Sequence, residues 1–185
     1  MRYFTGKLWK DSQNMEQYQI NAKDWEEKRK EYFAYLDRIK TKIGERLYNF
    51  FKSYSLHDGK LISIKVKSKQ GEEILKGEKD FLKPDLLSLE LDVVNYEKTF
   101  IAELRYEDVR ILKIEHPSKD LLFPCFEGDL GDWGYDEIDI GEDSYLIHEI
   151  LFSSGSTITI KSNKIDFIKK STNKCSCSEE IGLCK

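Results

Sequence analysis

The stretch "SYSLHDGKLISIKV", residues 53 to 66, decides the fold, because the period of the apolar residues changes across it. Upstream, Trp25, Tyr32, Leu36, Ile39, Ile43, Leu47 and Phe50 recur, after one gap of seven, in steps of three and four. That is the spacing of one face of an α-helix. Downstream, Ile62, Ile64 and Val66 alternate with Ser63, Lys65 and Lys67, which predicts a strand with one face in water. Between the two, His57, Asp58 and Gly59 read as a turn: the Asp side chain bonds nearby backbone and the Gly takes positive φ at little cost. His57, close to a helix C-terminus, also suits the negative end of the helix dipole when protonated.

Working back from this junction, the helical pattern fills residues 5 to 53. A shorter helix over 5–18 starts at a Thr5 cap, with Leu8 and Trp9 inward. A long helix starts near Asn21, an N-cap with Asp24 three residues on, and carries the pairs Asp24–Lys28 and Glu26–Lys30 at i,i+4. Gly44, which costs about 1 kcal/mol relative to Ala inside a helix, marks a bend or break.

Working forward, Leu87, Leu89, Leu91 and Val93 alternate with Ser88, Glu90 and Asp92. Further strands are expected near 99–105, 108–115, 145–152, 157–161 and 164–168. The turns are too short for crossover helices, so the sheet is antiparallel. Residues 86–114 and 144–170 both read strand, turn, strand, short turn, strand. Leu104, Val109 and Ile111 match Ile160, Ile165 and Phe167 at a constant offset, as two meanders of similar design would. The fold class is therefore α+β, an N-terminal helical segment packed on an antiparallel, meander-type sheet. It forms one domain over 1–170, followed by a flexible Cys-containing tail, 171–185.

At 185 residues, with 39% hydrophobic and 35% charged residues and 23 aromatics, the chain is long enough for a substantial core and too apolar for disorder. No apolar run reaches the roughly 18–20 residues of a membrane span, and the start lacks the apolar stretch of a signal peptide. A cytoplasmic protein is expected. Residues 1–85 carry 19 Lys and Arg against 14 Asp and Glu, whereas residues 86–185 carry 11 against 20. The acidic excess peaks in "FEGDLGDWGYDEIDIGED", residues 126–143, with eight carboxylates and no cation. Such a segment repels phosphate backbones, which disfavours nucleic acid, and suits a basic partner or a metal ion.

Read as a glycine-rich acidic loop, 126–143 has two readings: Trp133 and Tyr135 plug the end of the sheet, or Asp132, Trp133, Tyr135, Asp136 and Glu137 bind a partner, since aromatics anchor interfaces and carboxylates steer basic partners. It lacks the ligand spacing of an EF-hand. The candidates for catalysis are His57, Asp58, His148 and Glu149, which could converge at one end of the sheet as an acid–base or metal-assisted site. Against this, one His-Asp pair leaves a divalent metal under-coordinated, and no histidine precedes His57. His148, on a strand apolar on both faces, reads as a buried histidine with satisfied partners. No nucleophile elbow or glycine-rich phosphate loop is present, and no cofactor is expected. Cys175, Cys177 and Cys184 stand one ligand short of a zinc site, and with Cys125 alone in the body of the chain they describe a reducing compartment rather than a disulfide framework.

The segments "MRYFTGKLW" (1–9), "LHDGKLISI" (56–64), "DWGYDEIDI" (132–140) and "YLIHEILFSSGSTITI" (145–160) resemble an uncharacterised bacterial family catalogued as a domain of unknown function. The likeness covers roughly residues 1–169 and implies a bacterial cytosolic protein, with no activity or catalytic residue to carry over. Size and acidity also resemble those of immunity proteins of bacterial toxin systems, and those that block nucleases present carboxylates where the substrate's phosphates would go. The function expected from the sequence is a non-enzymatic module that binds another protein, with a basic surface, through 126–143. The alternative is an enzyme using His57, Asp58, His148 and Glu149.

Overall fold

A computed structural model describes residues 1–12, 18–77, 85–116 and 130–172. Helices α1 (Gly6–Ser12), α2 (Tyr18–Ile43) and α3 (Glu45–Ser53) precede strand β1 (Lys60–Ser68), a short helix α4 (Lys69–Leu75) and strands β2 (Leu87–Val94), β3 (Phe100–Glu115), β4 (Trp133–Ile140), β5 (Leu146–Phe152) and β6 (Thr157–Ser171). The chain is α+β: N-terminal helices on a six-stranded antiparallel sheet of order β1-β2-β3-β6-β5-β4. That order is two three-stranded meanders, β1-β2-β3 and β4-β5-β6, joined through their third strands.

The helices follow the sequence pattern closely. Thr5 caps α1, its Oγ1 accepting the Leu8 N–H at 3.2 Å. Gly44 separates α2 from α3 with φ +83°, a conformation that side-chain-bearing residues avoid. Tyr32, Leu36, Ile39, Ile43, Leu47 and Phe50 are all buried, and Trp25 is half-buried. Helix α2 begins at Tyr18, ahead of the expected Asn21 cap. Glu26 pairs with Lys30 as expected, whereas Lys28 turns to Glu31.

The strands depart from expectation where bulges intervene. The expected pairs of strands 99–105 with 108–115 and 157–161 with 164–168 are the single strands β3 and β6, and β6 runs through Ser171. β3 bends without breaking at an irregularity between Val109 and Ile111, next to Asp108 at φ 51°. A bulge between Leu61 and Ser63 in β1 leaves Ile62 exposed, while Ile64 and Val66 stay opposite Leu91 and Leu89. Leu89, Leu91, Val93, Ala102, Leu104, Tyr106, Ile158, Ile160, Ile165, Phe167, His148 and Ile150 line the buried face, against which α3 sets Phe50 and Phe51. Phe50 meets Phe167 at 4.2 Å between ring centroids, and Phe51 stands edge-on to His148 at 5.2 Å.

The largest correction concerns 126–143. From Trp133 to Ile140 this stretch is an edge strand, β4, not a loop. Trp133 is fully buried and Glu137 is 3% exposed, so neither can meet a partner at the surface. Of the six carboxylates between Leu130 and Asp143, five have partners within the chain, two of them, Asp132 and Asp143, in surface ion pairs. Asp132 pairs with Lys60 and Asp143 with Lys161, Asp139 accepts from Tyr35, Asp136 from Trp133 and His148, and Glu137 from three backbone N–H groups. Only Glu142 forms no hydrogen bond or ion pair among the described residues.

The outer edges of the sheet meet at one point. Asp58 N–H donates to the Trp133 carbonyl at 2.8 Å and Trp133 N–H to the Gly59 carbonyl at 2.7 Å, an isolated antiparallel bridge between the approach to β1 and the start of β4. The HDG turn is confirmed, but the residue with positive φ is Asp58, at 61°. Gly59 is required for a different reason: a Cβ there would lie 2.7 Å from the carbonyl oxygens of both Leu56 and Val94. Gly59→Ala should therefore cost about 1–3 kcal/mol, as overpacking does. Urea unfolding should show a lowered midpoint with an unchanged slope. An unchanged midpoint would mean that the backbone gives way here without loss.

Candidate functional site

The bridge brings the segment after α3 alongside the first residues of β4, and a cleft of about 340 Å³ opens there. Its walls are aromatic, formed by Phe4, Tyr32, Phe33, Phe51, Tyr54 and Tyr135, and its polar residues are Arg29, Lys52, Ser53, Ser55, His57 and Asp136. A smaller hollow shares Phe4, Arg29 and Tyr135 and adds Trp25.

A bulge sets the chemistry of the β4 wall. Trp133 opposes Phe152, Tyr135 opposes Leu151 and Asp136 opposes Ile150, so Gly134 is the extra residue. A Cβ at Gly134 would stand 2.7 Å from the Leu151 carbonyl oxygen. Because one residue is unpaired, Trp133 and Asp136 share the inner face, and the indole Nε1–H donates to Asp136 Oδ1 at 3.0 Å. Tyr135 is turned to the opposite face, where its ring stacks on Trp25 at 4.2 Å and on Phe4 at 5.2 Å. Next to it on that face, the Glu137 carboxylate accepts the backbone N–H groups of Arg2, Tyr3 and Phe4, which fixes Phe4 in the cleft wall. Burial pushes the Glu137 carboxyl up, and the three N–H donors pull it back.

Behind Asp136 lies a buried polar chain. Nε2 of His148 stands 3.2 Å from Asp136 Oδ2, and Nδ1 stands 2.7 Å from the Tyr106 hydroxyl. A carboxylate only accepts, which places a proton on Nε2; in the neutral imidazole Nδ1 then accepts from the Tyr106 hydroxyl. Both His148 and Tyr106 are fully buried. His148 is thus a satisfied core histidine whose hydrogen bonds orient Asp136 at the cleft.

The four candidate catalytic residues are not assembled. His57 reaches the cleft, its ring 4.9 Å from that of Tyr135 and its Nδ1 3.0 Å from Asp58 Oδ2. His148 lies in the core, and Glu149 is on the other face of β5, where it receives the α-ammonium of Met1 at 2.5 Å. Within the quartet the only hydrogen bond or ion pair is His57–Asp58. Among the described residues no group of three or more His, Cys, Asp or Glu side chains is placed to hold a metal ion. Cys125, Cys175, Cys177 and Cys184 lie outside the described residues.

Sequence reading missed Arg29, Lys52 and Tyr106. Arg29, Tyr32 and Phe33 do share one helix face at i, i+3 and i+4, but only the packing shows that the face looks onto a cleft. The cations there differ in state. Lys52 is held by Asp37 at 2.9 Å and lies over the Phe33 ring, whereas Arg29 makes no hydrogen bond or ion pair among the described residues.

Comparisons with protein-family models, curated proteins and solved structures return no match. No described helix is long and apolar enough to cross a membrane.

Four phenols around this region are raised above their usual value of 10: Tyr32 and Tyr106 by burial and then by the Asp136 charge, Tyr135 by burial and Asp58, and Tyr35 to about 12 by burial and its bond to Asp139. A raised phenol keeps its proton longer in the native state than in the unfolded chain. The stability this contributes is complete below 10 and is lost as pH rises through the folded value. Denaturant unfolding followed from neutral pH upward should show a steep decline beginning near 10. A flat profile through that region would contradict the buried placement of these hydroxyls.

Proposed function

We propose that this chain is a non-enzymatic binding module of the bacterial cytosol whose recognition site is the aromatic cleft between α2, α3 and β4. The observation that carries this reading is the lining itself: six aromatic side chains converge with a few polar groups at the end of the sheet. That composition and volume match pockets that hold small molecules. Binding is preferred to catalysis because the acid–base candidates are apart and each oxygen of the Asp136 carboxylate is already engaged, by the Trp133 indole and by His148.

Trp25, stacked on Tyr135, gives the site an optical reporter. Small aromatic compounds titrated into the protein should change tryptophan emission and shift amide resonances of Arg29, residues 51–57 and residues 134–136. Tyr135→Ala should weaken binding about tenfold or more, the loss of one aromatic anchor of roughly 1.4 kcal/mol. Resonance shifts scattered away from these residues, or an unaffected Tyr135→Ala variant, would reject the cleft.

A second reading, recognition of another protein, is supported by a different surface. Strand β1 is at an edge of the sheet, and Ile62 and Val66 on it are 54% and 53% exposed, with Leu75 of the adjoining α4 at 88%. An edge strand with exposed apolar side chains is suited to strand addition by a partner. Affinity capture run in parallel with the native protein and a Val66→Lys/Leu75→Asp variant should retain a partner only on the former. Equal unfolding midpoints of the two proteins would show that the fold is not at issue, and identical captured sets would overturn this reading.

A further inference from the structure

Two opposite charges line the cleft, Asp136 and Arg29, and among the described residues neither is paired with a Lys, Arg, Asp or Glu side chain. The Asp136 carboxylate, 18% exposed, accepts one hydrogen bond on each oxygen, from the Trp133 indole and the neutral His148 imidazole, and pairs with no Lys or Arg among the described residues. A carboxylate has about four acceptor positions, so two remain for a ligand. At the mouth, the exposed Arg29 guanidinium has no hydrogen-bonding or ionic partner among the described residues, although it lines both the cleft and the adjoining hollow. The other cations are accounted for: Lys52 by Asp37 and, when protonated, His57 by Asp58.

Resting on the reading of this cleft as a binding site, we propose that it takes a small zwitterion with an apolar, aromatic-sized body, its ammonium group set against Asp136 and its carboxylate against Arg29. Asp136 supplies the charge and the free acceptor positions that an ammonium group needs. A simple anion would meet Asp136 unfavourably, and a simple cation would leave Arg29 without a partner. A molecule carrying both charges satisfies both ends and lays its apolar body on Tyr135 and Phe4.

Three probes with one benzene ring test this: 4-(aminomethyl)phenylacetate, which carries its two charges at opposite ends of the ring, 4-methylbenzylamine and 4-methylphenylacetate, each titrated by amide-resonance shifts. The zwitterion should bind about tenfold tighter than either analogue. Arg29→Gln, a surface change, should bring the zwitterion to the affinity of 4-methylbenzylamine while leaving 4-methylbenzylamine itself unchanged. Asp136→Asn, used where its unfolding midpoint stays within a few degrees of the native protein, should abolish the preference for the zwitterion over 4-methylphenylacetate. Equal affinities of all three probes, insensitive to Arg29→Gln, would overturn the zwitterion while the cleft stands as a binding site. No resonance shift at the cleft with any probe at millimolar concentration would overturn the ligand class and the cleft together.

Discussion

The two hydrogen bonds between Asp58, Gly59 and Trp133 are the constraint on which the functional end of the molecule depends. Pairing of β3 with β6 joins two meanders into one sheet, but leaves the approach to β1 and the start of β4 at opposite edges. Only where these edges touch does the segment after α3, with Ser55 and His57, lie beside Tyr135 and Asp136. Gly59 permits the contact because two carbonyl oxygens occupy the space a side chain would need.

Around that contact the chain satisfies an edge strand from within. The outward N–H of Ile138 donates to the Tyr32 hydroxyl at 2.8 Å, Tyr35 donates to Asp139, and Glu137 gathers the N–H groups of residues 2–4. A polar strand edge left in a buried setting would lose hydrogen bonds worth roughly 1–3 kcal/mol each in desolvation. Here α2 and the N-terminal residues supply the partners, and in doing so they carry Arg29, Tyr32 and Phe4 into the cleft walls. Two of the carboxylates that make this stretch look like an acidic platform, Glu137 and Asp139, are such structural acceptors.

The alternation of β2 and the 3–4 spacing of α2 and α3 were legible because each has one wet and one dry face, which a single residue period describes. The break at Gly44 was legible for a related reason, since φ near +83° favours glycine. Strand β4 was not legible. Its bulge at Gly134 places an acid, Asp136, on the inner face and an aromatic, Tyr135, on the outer one, which inverts the pattern that marks a strand. A bulge of its own in β1 turns Ile62, expected on the dry face, out to solvent. Within the candidate site, Tyr135, Asp136 and His57 stand out in the sequence, whereas Arg29 and Lys52 look like the other cations of a solvated helix face.

Local geometry and the period of apolar residues specify the helical segment, its break, the switch to antiparallel strands at the HDG turn and the burial of His148. Tertiary structure alone decided which carboxylates are spent on backbone N–H groups, which edges meet, and which charges face a common space without a partner. Those outcomes depend on contacts between residues more than a hundred positions apart, such as Tyr32 with Ile138 and Phe4 with Glu137. No local pattern encodes such contacts, since it is the packing of the two meanders and the helices that brings them within reach.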